Sequence, residues 1–153
     1  MRTLRMIRPT PSFSLAVPRD ATQEVDQRVS SFWVPGESVL LQISSYARKH
    51  GFQVSATERL QERLAKEKLI EARDFVVSLE ECPNCAAIQG RDDKNVYWVH
   101  VYAVWPDLTI YATLSWKNPD NICSNGKWAV DALRSIRRSN NFRKGERTNL
   151  SMK

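Results

Sequence analysis

The sequence predicts an α+β fold in which an antiparallel β-meander of about four strands carries two N-terminal helices and one C-terminal helix. Three observations predict it. Apolar residues recur at helical spacing over 39–47, a helix-capping pattern begins at Ser55, and residues 96–116 have the strand-forming composition of a hairpin around one tight turn. No apolar run approaches the roughly 20 residues that a membrane-spanning helix needs.

The composition fits a single globular domain, with 153 residues of which 42% are hydrophobic and 26% charged. We expect this α+β domain at 31–140, between a disordered, basic lead-in at 1–30 and a basic tail at 141–153. The lead-in is interrupted by three prolines, Pro9, Pro11 and Pro18. Its Arg-rich, acid-free start also resembles a mitochondrial transit peptide, but the prolines would break the amphipathic helix of such a peptide.

The net charge of +6 is unevenly distributed along the chain. Residues 1–19 hold four Arg and no acid, and residues 137–153 hold six basic residues and one acid. The stretch between them, 20–136, has 13 basic against 16 acidic residues. The folded body is therefore net acidic, which argues against a compact nucleic-acid-binding domain and leaves basic arms as the alternative.

Two helices are predicted in the first half of the domain. The first begins after Pro35-Gly36, where apolar residues from Val39 to Ala47 have helical spacing, and stops at Gly51. The second covers about 56–72. There the Ser55 hydroxyl can accept from the backbone N–H three residues on while Glu58 reaches back, as in a capping box.

The second half of the domain is predicted to hold the strands and the last helix. Short strands are expected at 75–79 and 86–88, followed by a turn at 90–95. A helix over about 125–138, with Ser124 or Asn125 as its N-cap, closes the domain. Its apolar face would contain four residues, Trp128, Ala132, Leu133 and Ile136.

The hairpin of 96–105 and 108–116 turns at Pro106-Asp107, and a two-residue loop fixes its register. One face is then apolar in every pair, from Trp105 opposite Leu108 to Tyr97 opposite Trp116, so we expect it to face the core and the helices. The other face, called here the aromatic face, carries Trp98, His100, Tyr102, Val104, Thr109, Tyr111, Thr113 and Ser115.

Three interpretations of the aromatic face are open. The second helix or the N-terminal segment covers it, or its rings are rigid anchors for a protein partner. In the third, bases of a single strand stack on Trp98, Tyr102 and Tyr111. The two strands contain no Lys or Arg to meet phosphates, which counts against the third.

The cysteines suggest a weak metal motif. Cys82 and Cys85 have the spacing of one zinc-ribbon knuckle, and Cys123 with His100 or His50 could complete a ligand set. A second Cys pair is missing, so we predict two reduced thiols flanking a turn, and no cofactor. The odd number of cysteines argues against a disulfide framework and predicts a cytoplasmic location.

Catalytic motifs are scarce, because the sequence has no phosphate-binding loop, dinucleotide fingerprint or metalloprotease motif. A nucleophile pair of Cys82 or Cys85 with His100 is the one arrangement that the residues leave open. We predict that the protein is not an enzyme.

The predicted order is two helices, a meander with the hairpin strands VYWVHVYAVW and LTIYATLSW, and a closing helix, within the net acidic stretch 20–136. This pattern resembles the small immunity proteins of bacterial toxin–immunity systems. The resemblance implies a non-enzymatic protein that neutralises a cognate toxin by covering its active site. The basic ends depart from the acidic character common among nuclease inhibitors.

We therefore expect a domain that binds a cognate protein, such as a toxin or effector. The predicted contact residues are Trp98, His100, Tyr102, Tyr111 and Thr113, with Asp92 and Asp93 as a polar rim. The alternative is a nucleic-acid-associated factor that uses the basic ends and the aromatic face. No membrane partner is expected.

Overall fold

The computed structural model describes residues 2–47, 55–79, 82–117 and 126–139. These residues form a mostly β structure of two antiparallel sheets, with seven and three strands, and two helices. The strands are β1 Leu4–Thr10, β2 Phe13–Pro18, β3 Thr22–Asp26, β4 Val29–Trp33, β5 Leu40–Ala47, β6 Ile70–Asp74, β7 Cys85–Arg91, β8 Tyr97–Trp105, β9 Leu108–Trp116 and β10 Arg137–Arg138. The helices are α1 Ala56–Lys66 and α2 Lys127–Arg134. The predicted α+β fold of four strands and three helices is wrong, whereas the antiparallel pairing is confirmed.

The seven-stranded sheet has the order β3-β4-β5-β9-β8-β7-β6, so the predicted hairpin β8–β9 lies near its centre. Its register is the predicted one, from Trp105 opposite Leu108 to Tyr97 opposite Trp116. The two-residue loop fixes the register. Because side chains alternate along a strand, each residue of the hairpin then lies on the face that the sequence predicted.

The three-stranded sheet has the order β1-β2-β10 and joins the two ends of the described chain. Three strands, β1 and β2 of this sheet and β3 of the large sheet, lie within residues 4–26. The prediction of a disordered lead-in over 1–30 is wrong for them. The prolines lie where strands tolerate them. Pro9 is beside a register shift, Pro11 is in the turn, and Pro18 ends β2, so none removes a hydrogen bond from the middle of a ladder.

The predicted first helix is also a strand. Leu41 and Ile43 of β5 are buried opposite Leu114 and Ala112 of β9, and Gln42 between them points to the other face. The apolar positions at 39–47 fit both periods, and pairing with the central hairpin decides between them. The stop predicted at Gly51 lies outside the described residues.

The second helix is confirmed in type and in its start. The Ser55 hydroxyl accepts from the Glu58 N–H at 3.0 Å, as the capping pattern predicts. The helix ends at Lys66 instead of continuing to about residue 72, and Ile70–Asp74 form the strand β6. Residues 75–78 form no strand. The strand predicted at 86–88 is part of the longer β7, which extends to Arg91, so the following turn begins later than predicted.

The closing helix α2 is shorter than predicted, with Gly126 as its N-cap residue. The predicted caps, Ser124 and Asn125, lie outside the described residues. The four residues expected on its apolar face are all buried, including Ile136 just beyond its end. Within the described ranges, neither helix is long and apolar enough to cross a membrane.

The main core lies between the two sheets. Phe13, Leu15 and Val17 of β2 join the inward residues of β8 and β9 and the apolar side of α2 in one buried cluster. The apolar face of the hairpin is therefore the core face, as predicted. The prediction that the N-terminal helix also packs there is wrong, because α1 lies on the aromatic face.

Candidate binding groove

Helix α1 covers one half of the aromatic face. Ala56 and Leu60 of the helix are buried together with Tyr102 and Val104 of β8, and these four form a second, smaller core. The backbone N–H of Ala56 donates to the Asn84 side chain at 2.8 Å, which ties the helix start to the loop before β7. For this half of the face, the interpretation that the second helix covers it is correct.

Four rings form a continuous row across the aromatic face. The ring centroids of Tyr102 and Tyr111 are 4.6 Å apart, those of Tyr111 and His100 5.9 Å, and those of His100 and Trp98 5.7 Å. A hydrogen bond of 2.6 Å joins His100 Nδ1 to the Tyr111 hydroxyl. The row begins beneath α1 at Tyr102 and ends at the half-buried Trp98.

Arg63 closes the row from the helix side. Its guanidinium carbon lies 4.4 Å from the centroid of the Tyr111 ring, a cation–π geometry. Its Nε donates to the Tyr102 hydroxyl at 3.4 Å and its Nη1 to Glu67 at 3.5 Å. Glu67 in turn places a carboxylate oxygen 3.9 Å from His100 Nε2. The end of α1 is thus tied to the buried rings by polar side chains.

Beyond the end of α1, two adjoining cavities form what we call the α1 groove. The smaller has a volume of about 250 Å³ and the larger about 600 Å³. Glu67, Trp98 and His100 line both. The smaller cavity reaches Val29, Gln42, Ser44, Arg63, Tyr111 and Thr113, and the larger reaches Lys66, Lys68, Leu69, Ile70, Asp92 and Asp93.

Trp98 is held in position within the groove. Its indole N–H donates to Asp92 Oδ2 at 3.0 Å. The other oxygen of Asp92 accepts from the backbone N–H groups of Lys94 and Val96, each at 2.9 Å. The hydrogen bond from Trp98, followed by that from Val96, lowers the pKa of Asp92. A charged carboxylate therefore fixes both the turn and the ring, and the ring presents a rigid surface to the groove.

The structure separates the predicted contact residues into two groups. Six of them line the α1 groove: Trp98, His100, Tyr111, Thr113, Asp92 and Asp93. Tyr102 does not, because it is buried under α1 with 7% of its surface exposed. His100 and Thr113 form the floor of the groove, with 2% and 8% of their surface exposed. Trp98 is half-buried and therefore more accessible than His100.

Sequence reasoning missed the groove residues that come from α1 and β5. The predicted helix includes Gln42 and Ser44, although their alternation with Leu41 and Ile43 also fits a strand. Glu67 was predicted to lie inside a helix, and only the real helix end places it beside His100.

Among the described residues, the structure does not bring the suggested zinc ligands together. Cys85 faces the main core beside Ala103, and His100, three positions from Ala103, lies on the opposite face. Burial raises the pKa of the Cys82 thiol and, for Cys85, raises it to about 12, so both thiols stay protonated. Cys123 and His50 lie outside the described residues, and within the ranges that the structure describes no three potential ligands cluster. The same separation of faces removes Cys85 with His100 as a nucleophile pair.

Comparison with known proteins supports the fold alone. No protein-family model and no curated protein matches the chain. Among similar solved structures is a crystal structure of a protein from Bacteroides thetaiotaomicron VPI-5482, with a TM-score of 0.62 and 12% sequence identity. The match covers 90% of this chain and 49% of that protein, so this chain spans about half its length.

Buried His100 is expected to make stability depend on pH. Burial lowers its pKa, with the charge of Glu67 opposing and that of Arg63 adding to the effect. In the unfolded chain the His100 imidazole has a pKa of about 6.5, so it binds a proton more tightly there than in the folded protein. Acid therefore favours unfolding. Stability should be full above about pH 6.5 and fall as the pH decreases below it.

Urea unfolding at pH 7.5 and pH 5.5 tests this expectation. The loss of stability between the two pH values should be smaller in His100→Gln than in the unchanged protein. Equal losses in the two proteins would show that His100 does not contribute.

Proposed function

We propose that the protein is a non-enzymatic binding protein whose α1 groove receives an extended segment of a partner protein. The observation that carries the proposal is the continuity of the groove across β4, β5, β9 and β8. Three strand spacings correspond to about 14 Å, and an extended chain advances about 3.3 Å per residue, so at least four residues of a partner would fit.

The chemistry of the groove supports a peptide. Gln42, Ser44 and Thr113 offer uncharged donors and acceptors of the kind that main-chain amides require. Trp98 adds a fixed ring, and rigid aromatic side chains provide binding surface at small entropic cost. Asp92 and Asp93 form the rim at one end.

The charges around the groove are of both signs. Lys66 and Lys68 face the larger cavity together with Glu67, Asp92 and Asp93. With Arg63 in the smaller cavity, three basic and three acidic residues line the groove, so it has no net positive charge to attract phosphates. This balance favours a peptide over a nucleic acid.

The basic N-terminal strand is also remote from the groove in the fold. It belongs to the small sheet, which packs on the core face, whereas the groove is on the aromatic face. Arg2 is paired with Glu37 at 2.8 Å, and Arg5 donates to the Ala21 carbonyl at 2.9 Å. A single nucleic-acid site that uses these arginines and the aromatic rings together is therefore disfavoured.

Neutralisation of a cognate toxin is the particular form of partner binding that we propose, on the strength of the resemblance to immunity proteins. The cytoplasmic location is part of the same proposal, and the free thiols of Cys82 and Cys85 support it.

Pull-down from the host cells, washed at low and high salt and followed by mass spectrometry, tests the groove. Trp98→Ala should reduce recovery of the partner protein at high salt by at least about tenfold, the loss typical of a hot-spot residue. The matched control is Tyr46→Ala, which removes an exposed ring from the same face outside the groove and should leave recovery unchanged.

Equal recovery of the partner by Trp98→Ala and by the unchanged protein would contradict the groove as the site. Recovery of nucleic acid alone, lost at high salt, would favour the basic ends instead.

A further inference from the structure

A separate cavity of about 240 Å³ lies at the β6 edge of the large sheet, and we call it the edge cavity. It shares Ile70 and Trp98 with the α1 groove but is otherwise built from different residues. These include Glu71, Arg73, Gln89, Arg91, Tyr97 and Trp116.

The backbone of β6 is irregular beside this cavity. The register between β6 and β7 shifts between Ile70 and Arg73, and Glu71 within that shift has a φ of 56°, in the left-handed region. Gly90 on β7 permits a close approach, since a Cβ there would lie 2.8 Å from Leu69 Cβ and 3.1 Å from the Ile70 carbonyl oxygen. The chain thus comes close to β7 at Leu69 and Ile70 and bulges where the cavity opens.

Three side chains that line the edge cavity carry hydrogen-bond donors in addition to its aromatic rings. Arg73 and Arg91 bring two guanidinium groups and Gln89 an amide. Trp116 is 7% exposed and stacks on Tyr97 with ring centroids 5.7 Å apart. Its indole N–H has no hydrogen-bond acceptor among the described residues. A buried donor without an acceptor is costly, so an acceptor from a ligand would stabilise it.

Among the described residues, Glu71 is the only acidic residue that lines the edge cavity. Glu71 Oε1 lies 3.4 Å from Arg91 Nη2, and the Glu71 side chain is 77% exposed. This single solvent-exposed contact leaves the forked guanidinium of Arg91 with further donors, and Arg73 has no ion pair within the described part of the chain.

We propose that the edge cavity binds a small anion bearing a carboxylate or phosphate group. Arg73 and Arg91 would hold its oxygens, the planar guanidinium matching either group, and Trp116 would donate to it from the ring side. The ligand would displace Glu71 from Arg91. This proposal is independent of a partner segment in the α1 groove.

Calorimetric titration of the full chain with inorganic phosphate and with succinate, at constant ionic strength, tests the proposal. We expect one of the two to bind with a stoichiometry of one and to shift one of the five indole N–H signals in a nuclear magnetic resonance spectrum. Loss of that signal in Trp116→Phe would assign it to Trp116. Comparison of the two anions shows whether phosphate or carboxylate is preferred.

Three variants make the test specific. Arg73→Gln and Arg91→Gln should each weaken binding roughly tenfold, because each removes a charged donor. Glu71→Gln should strengthen binding by a few fold, because it removes the competing carboxylate and keeps the side-chain size. Arg59→Gln, which changes an exposed Arg on α1, is the matched control and should have no effect.

Saturable binding of neither anion, or binding that Arg73→Gln and Arg91→Gln leave unchanged, would overturn the proposal. An unshifted Trp116 signal at saturation would overturn it as well. Glu71→Gln keeps the test decisive if an arginine variant folds poorly, since weaker binding in that variant contradicts displacement of Glu71.

Discussion

Phe13→Ala is expected to lower the free energy of unfolding by about 3–5 kcal/mol, the cost of deleting a fully buried aromatic ring. Phe13 is 1% exposed and belongs to the cluster between the two sheets. The same cluster contains the buried residues of the central strands β8 and β9 and of α2, so the ring lies inside the main core. The change thus measures whether the N-terminal segment is part of the fold.

Met6→Ala is the matched control, because Met6 lies in the same small sheet but is 64% exposed. Its effect should stay within about 0.5 kcal/mol, as for other surface substitutions. Urea unfolding of both variants provides the comparison. A Phe13→Ala protein as stable as Met6→Ala would mean that residues 4–18 do not pack on the large sheet.

Tyr102→Ala should lower the free energy of unfolding by about 3–5 kcal/mol, a second large effect. The ring is buried in one cluster with Leu60 and Ala56 of α1 and stacks on Tyr111. Removing it takes away much of the surface on which α1 rests, so the amide hydrogens of α1 should exchange faster than those of β8 and β9.

Tyr102→Phe separates packing from hydrogen bonding. It keeps the ring and removes only the hydroxyl that accepts from Arg63 at 3.4 Å, a change expected to cost about 1 kcal/mol or less. If Tyr102→Ala instead keeps full stability and loses partner binding, Tyr102 is a contact residue, as the sequence suggested, and α1 does not depend on it.

The central hairpin was predictable because its information is local. A two-residue loop sets the pairing of Trp105 with Leu108, and alternation then decides the face of every residue up to Trp116. The start of α1 was predictable for the same reason, since Ser55 and Glu58 are three residues apart.

The outer strands were not predictable from local patterns. The spacing of residues 39–47 fits a helix as well as it fits β5, and only pairing with Leu114 and Ala112, about 70 residues away in the chain, selects the strand. Pro9 and Pro18 suggest disorder, because sequence alone does not show that they lie near the ends of short strands.

The site was predictable in part. The hairpin register placed Trp98, His100 and Thr113 on one face, and the structure groups them in the α1 groove. Which half of that face stays open depends on where α1 packs, and that position follows from the tertiary fit of Leu60 against Tyr102 and Val104. The sequence therefore left open whether α1 would bury Tyr102, and the structure shows that it does.

Pairing of β2 with β10 has a consequence for how the chain folds during synthesis. Ser14 lies opposite Arg137, and the Ala16 N–H donates to the Ser135 hydroxyl at 2.8 Å across 119 positions of sequence. Bringing such distant segments together requires closure of a long loop, which is slow. On the ribosome, β2 can complete its hydrogen bonds only after residue 138 has emerged, so the first strands made are among the last to be secured.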